Sequence, residues 1–238
     1  MSDSKLDDQI IVWQNEQDKL KQQISFNDSF QLEDIKYIGG VDISFEKKDP
    51  NNACVFIVVI EMPKNENDDT KIVYEDHKII RLTVPYISGF LAFREVEHYK
   101  DLIDIMKQKV PHLFPQVILV DGFGTLHHRG FGSASHLGVV CDVCTIGCAK
   151  TLINMDGLFE KDIKQKFKND HNLKELDLAG SSGKIHGKAL LTGNSNPIYI
   201  STGHKISLET AAKIVKKISK YRIPEPIRQA DIRSKLYF

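Results

Sequence analysis

"VILVDGFGTLHHRGFGSASHLG", residues 117–138, decides the fold class. The apolar run Val117–Val120 reads as a short strand buried on both faces. It stops at an acid, Asp121, and runs into a glycine-rich turn. The stretch then opens a helix predicted over about 132–142. Strand, loop and helix in that order make an α/β unit. In open α/β sheets, ligands bind outside the carboxyl ends of the strands. Asp121, followed by Gly122 and Gly124, stands at such an end. The plain alternative is an acid that caps a turn.

Upstream, "YIGGVDISFE", "ACVFIVVIEM" and "KIVYEDHKIIRLTV" read as three strands. The turn-forming loops "KKDPNN" and "PKNENDD" join them into an antiparallel meander. A long helix over about 88–108 follows, entered through "VPYISG". Before the meander, Leu6, Ile10, Trp13, Leu20 and Ile24 recur at helical spacing, which predicts a surface helix over about 3–25. Downstream, a strand is predicted near 143–147, and the charged stretch 159–183 reads as an exposed insert. "KALLTGNSNPIYIS" reads as a hairpin with an Asn/Gly turn. A last helix covers about 206–220, and the tail from Tyr221, with two prolines and three arginines, is left unassigned. The sum is an α/β fold, one mixed sheet with flanking helices, in a single domain over 1–238.

Composition narrows the function. The chain has 238 residues, 41% hydrophobic and 27% charged, enough to bury a core without staples. Its 32 basic and 32 acidic side chains cancel, which argues against a sequence-blind DNA coat while leaving room for a local basic patch. No apolar run reaches the ~18 residues of a membrane span, so no membrane partner is expected. The polar N-terminus is unlike a secretory signal. A reducing compartment is expected, the cytoplasm first and the nucleus second, with Cys54, Cys141, Cys144 and Cys148 unpaired. "CDVCTIGC" invites a zinc or iron–sulfur reading, with His136 as a helper, but a closed zinc site needs four ligands. Core packing is the favoured role of these thiols. The P-loop pattern and the GxSxG elbow are both absent from the sequence.

Two further acids need a reason. Asp42 lies inside the strand "GGVDISF", where aspartate is disfavoured. Gly39 and Gly40 beside it suggest that another backbone or a ligand comes close. Glu95 falls on a helix face with Leu91 and Tyr99, whereas Glu97 points to solvent. An unpaired acid on an inner face costs several kcal/mol. A divalent cation shared by Asp42, Glu95 and Asp121 resolves all three, and carboxylate oxygens suit Mg²⁺. Lys150, His204, His127, His128, Arg129, Arg222 and Arg228 are cations or hydrogen-bonders for a phosphate. Together they fit metal-assisted phosphodiester cleavage.

At these residues the chain resembles a known family. "YIGGVDISF", "VPYISGFLAFREVEH", "ILVDGFGTLHHRGFGSASHLGVV", "GCAKTL", "PIYISTGHKISLETA" and "RIPEPIRQADIRS" are similar to endonuclease V, and closest in pattern to its eukaryotic members. The matching blocks span about 36–233. The resemblance implies an RNase H-like core. It also implies an inosine-directed, Mg²⁺-dependent endonuclease, with Mn²⁺ as a substitute. Asp42, Glu95 and Asp121 would hold the metal. His204 would stand near the metal or the scissile phosphate, Lys150 would be a phosphate-side cation, and Asp231 would complete the acidic set. Pro85, Tyr86, Ile87 and Ser88, followed by Gly89, match the wedge that fills the space of an extruded base. Backbone near Gly122 and Gly132, with the Leu91 side chain, would form the hypoxanthine pocket, and His127 would lie near the nucleic acid. The substrate implied is inosine-containing RNA, with deoxyinosine-containing single- or double-stranded DNA second. The cut would fall at the second phosphodiester 3′ to inosine, leaving 3′-hydroxyl and 5′-phosphate, and the enzyme would act as a monomer. The alternative is an RNA-binding module of the same fold without catalysis.

Overall fold

The computed structural model describes residues 3–65, 68–193 and 196–238. Three antiparallel strands come first: β1 (Tyr37–Phe45), β2 (Asn52–Glu61) and β3 (Ile72–Arg81). β4 (Val117–Asp121) and β5 (Thr145–Ala149) add in parallel beside β1. β6 (Glu175–Ala179), β7 (Ile185–Leu190) and β8 (Ile198–His204) complete the far side, all antiparallel. The spatial order is β3-β2-β1-β4-β5-β8-β7-β6, so one mixed sheet runs through the molecule.

Helices cover both faces, which is why β2 and β4 are apolar without alternation. On one face α2 (Ala92–Lys109) and α3 (Ser133–Cys141) pack against Val41, Val55, Ile57, Ile118 and Val120. On the other, α5 (Leu208–Ile218) and α6 (Glu225–Ser234) cover Ile38, Phe56, Val58, Val117 and Leu119. α1 (Asp3–Lys21) lies outside the first face, with Trp13 stacked on Phe93 at 5.0 Å. Ile24, expected on this helix, falls beyond its end.

Several sequence expectations are corrected. α2 starts at Ala92, because Ser88, Gly89 and Leu91 form turns ahead of it. β5 starts two residues later than expected, since Asp142 adopts a left-handed conformation (φ 53°) that closes α3 first. The stretch 159–183 is not a mere exposed insert. It builds α4 (Glu160–Asn169) and β6, and Ile163, Phe167 and Leu178 are buried in a third core with Leu126 and Tyr199. The predicted hairpin exists as β7–β8, but its Asn/Gly turn includes Asn194 and so lies outside the described residues, as does part of the 63–69 loop. The unassigned tail contains α6. Pro224 and Pro226 sit at its start, where a missing N–H costs nothing.

Candidate active site

Two neighbouring strands bring two acids together. β1 and β4 run parallel with Val41 beside Val120, so Asp42 and Asp121 follow at the next step of the register. Alternation puts Asp42 on the face of Ile38 and Gly40, under α6. Gly40 is what lets α6 come so close: a Cβ there would stand 2.3 Å from the Pro226 carbonyl carbon. The close approach suspected at the glycine pair is therefore another backbone at Gly40 and the Pro115 ring at Gly39. α6 delivers Asp231 and Ser234 to the same edge. Ser234 Oγ donates to Asp42 Oδ2 at 3.4 Å and lies 2.7 Å from Ser44 Oγ. Lys235 Nζ binds Asp231 Oδ2 at 2.7 Å.

Glu95 arrives from the opposite face, in the first turn of α2. Its residue is 5% exposed, as is Asp42, and no side-chain hydrogen bond reaches its carboxylate among the described residues. Burial, then the Asp121 and Asp231 charges, push the Asp42 carboxyl up to about 7. Burial, then Asp42 and Asp121, push Glu95 up to about 8. These are signs of negative charge crowded at one low-dielectric edge. The cation paired directly with Asp121 is Lys150, just past β5, whose Nζ donates to Asp121 Oδ2 at 2.5 Å. Burial pulls the Lys150 ammonium down, but Asp121, Asp42 and Asp231 outweigh it and raise its pKa overall.

The donor set suits a hard divalent cation: carboxylate oxygens, two of them poorly neutralised, with Lys150 standing where positive charge is needed. Among the described residues, no three His, Cys, Asp or Glu side chains already close around one point as a finished cage. The ion pair of Lys150 with Asp121 is the visible counterpart of that openness.

Beside the acids lies a cavity of about 290 Å³. Tyr86, Ser88, Gly89 and Leu91 line it from the loop before α2, and Gly122, His127 and Gly132 from the loop after β4. Tyr86 is 70% exposed at the rim. Pro85 and Ile87 belong to the same loop without lining the cavity. The close approach at Gly132 is to the chain itself, since a Cβ would stand 2.3 Å from the Phe123 carbonyl oxygen. His127 is buried, and burial followed by the charges of His128, Arg129 and Lys21 pushes it down to about 4, so it faces the cavity as a neutral imidazole.

Sequence reasoning missed two residues here. Gln17 of α1 is 1% exposed, and its Nε2 donates to the carbonyls of Gly89 (3.0 Å) and Phe131 (3.3 Å). It ties both cavity loops to the first helix. Its only signal in the sequence is a glutamine one turn before Leu20 on the inward stripe. Arg94, beside Glu95, is nearly buried and donates to the carbonyls of Val84 and Pro50. Nothing in the pattern distinguishes it from a solvated arginine.

Several expected site residues lie elsewhere. His204 ends β8 opposite Thr145, whereas Asp121 pairs with Cys148, three residues and about 10 Å further along β5. His204 instead accepts from Ser25 N at 3.2 Å, and Asp142 lies 3.7 Å from its other nitrogen. Arg129 clamps Gln17 and Asp18 of α1. Arg222 binds the carbonyls of Lys150 and Pro197, and Arg228 pairs with Glu225. His128 is exposed. The four cysteines are free and buried, with Cys141 in the core of one sheet face and Cys54, Cys144 and Cys148 in that of the other.

A mixed sheet whose adjacent parallel strands set Asp42 of β1 beside Asp121 at the end of β4, next to a cavity lined by loops, fits an RNase H-like hydrolase of phosphodiester bonds. The comparisons narrow this class. The Endonuclease V family model matches residues 18–232. Mouse endonuclease V is 42% identical over 96% of this chain and 69% of its own length. The crystal structure of the human endonuclease V catalytic domain shares 41% identity, covers 97% of this chain and 96% of that one, and superposes with a TM-score of 0.90. A Ciona intestinalis endonuclease V, crystallised with a 23mer DNA containing an inosine followed by a ribo-adenosine, gives 0.91 at 40% identity, with 97% of each chain covered. The chain belongs to the endonuclease V family and is an endonuclease acting on phosphodiester bonds.

Proposed function

We propose that the chain cuts inosine-containing RNA, with deoxyinosine-containing DNA as a second substrate, at the second phosphodiester 3′ to inosine, leaving 3′-hydroxyl and 5′-phosphate. The observation that carries this reading is the placement of a loop-lined cavity directly beside the acidic edge. The Ciona complex supports it, because inosine followed by a ribonucleotide was the strand that protein held.

In this reading Asp42, Glu95 and Asp121 hold Mg²⁺, with Mn²⁺ as a substitute. The bound ion supplies charge stabilisation at the phosphate and a more acidic water. Asp121 would give its carboxylate to the ion, and Lys150, now paired with it, would present its ammonium to the phosphate. Asp231 extends the acidic set, and Ser234 steadies Asp42. Tyr86 at the rim occupies the gap left in the stack. A pocket closed by backbone at Gly122 and Gly132 rejects guanine's extra amino group, and fixed donors reject adenine. Extrusion costs least from a single strand or a mismatch, and a 2′-hydroxyl distinguishes RNA. The enzyme acts as a monomer in a reducing compartment, cytoplasm or nucleus, a placement supported by four unpaired thiols.

The test is cleavage of matched RNA and DNA strands, with and without inosine, in Mg²⁺. RNA with inosine should be cut fastest, and strands without inosine should survive. Asp42→Ala should lose at least about 10²–10³-fold in rate while still binding the strand. Cutting by that variant at the normal rate would overturn the metal assignment, and indifference to inosine would overturn the substrate.

A further inference from the structure

A second depression, of about 650 Å³, adjoins the acids through Ile43, which follows Asp42, and through Asp231. Its walls are the end of β1 and the turn after it, with Phe45, Glu46, Lys47 and Lys48, and the end of α6 with the turn after it, with Asp231, Lys235 and Phe238. Asp231 belongs both to this groove and to the acidic edge, so the two are continuous. Phe45 and Phe238 are 41% and 45% exposed, and the Arg94 guanidinium lies over the Phe45 ring at 5.9 Å from its centroid, which leaves the rest of that ring to the groove. Lys47 and Lys48 are exposed and form no ion pair with a carboxylate among the described residues, whereas Lys235 pairs with Asp231. Exposed aromatic faces bordered by unpaired cations are the chemistry of single-stranded nucleic acid binding, in which bases stack and phosphates pair.

We infer that this groove binds the single strand on the 3′ side of the cut, with its phosphates on Lys47 and Lys48 and a base against Phe45. The direction follows from order in space. Gly122 of the cavity follows Asp121, Ile43 of the groove follows Asp42, and the two acids are neighbours in the strand register, so a strand with its inosine in the cavity passes the acids before it reaches the groove. This assignment rests on the proposed function for its polarity. Charge complementarity and continuity with the acidic edge carry the rest.

The experiment compares the wild-type chain with Lys47→Ala/Lys48→Ala and with Phe45→Ala. The first readout is kcat/KM on two inosine-bearing RNAs, one ending just past the cut and one with a long 3′ extension. The advantage of the long strand should fall about tenfold in either variant, through KM. The second readout is anisotropy of a fluorescein-labelled single-stranded RNA without inosine, in EDTA. Here the double lysine variant should bind more weakly, and its salt slope should flatten by about 1.4, or ~0.7 per lost phosphate contact. An unchanged long-to-short ratio with an unchanged salt slope would overturn the groove. A wild-type chain that cuts no inosine strand would sink the proposed function instead, and the anisotropy difference would still decide the groove. Weakened cutting of long and short strands alike would place these residues in some role other than downstream binding.

Discussion

Asp42 and Glu95 show how one buried carboxylate reports on its neighbours. Both carboxyls are held above their ordinary values, to about 7 and about 8, by burial first and neighbouring acids second. The folded chain therefore holds these protons more tightly than the unfolded chain does. The stability they contribute is whole below about pH 4 and is lost as pH rises toward about 8. Asp42→Asn removes one of the two charges. In chelator, its Tm should pull ahead of wild type as pH rises through this window, by about 2–4 °C for each kcal/mol recovered. A Tm difference that does not grow with pH would contradict the crowding. The same scale separates two residues that the sequence placed together. Asp231→Asn touches the acidic edge and should slow cleavage. His204→Gln lies about 10 Å along the sheet and should keep its cleavage rate while losing stability, since the Ser25 amide loses its acceptor. Equal loss of cleavage in both variants would return His204 to the site.

At the scale of elements, α1 matters more than its sequence suggests. Its apolar stripe reads as a helix laid over a finished domain. Yet Gln17 reaches through to the carbonyls of Gly89 and Phe131, and Arg129 Nε holds the Gln17 oxygen at 2.7 Å. One side chain thus sets the spacing of both cavity loops. Gln17→Ala should raise KM for an inosine strand about tenfold, the value of one or two buried hydrogen bonds, with kcat changed far less. An unchanged KM would show that the loops hold themselves. α6 teaches the converse. Its prolines made the tail look irregular, but proline in a first turn starts a helix, and Gly40 lets that helix settle on β1.

Over the whole molecule, three cores share one sheet. The third lies under α4, in the stretch whose charge pattern reads as an exposed insert. Phe167 is 5% exposed there, against Leu126 of the loop after β4 and Tyr199 of β8. Phe167→Ala should cost about 3–5 kcal/mol in a single cooperative urea transition. A loss below about 0.5 kcal/mol, the range of a surface change, would mark the stretch as an appendage.

Local pattern by itself determined much of this protein. Apolar runs and alternation placed β1 to β4, periodicity placed α1 and α3, and the oddity of Asp42, Glu95 and Asp121 marked them as residues needing a partner. These are properties of a few consecutive side chains. The tertiary structure alone decided which of them meet. The parallel register of β1 with β4 sets Asp42 beside Asp121, and the packing of α6 chooses Asp231 rather than His204 for that edge. Gln17 gained its place through contacts with residues 72 and 114 positions away. Such choices depend on chain closure over long separations, where packing and hydrogen bonding decide and local propensity has no voice.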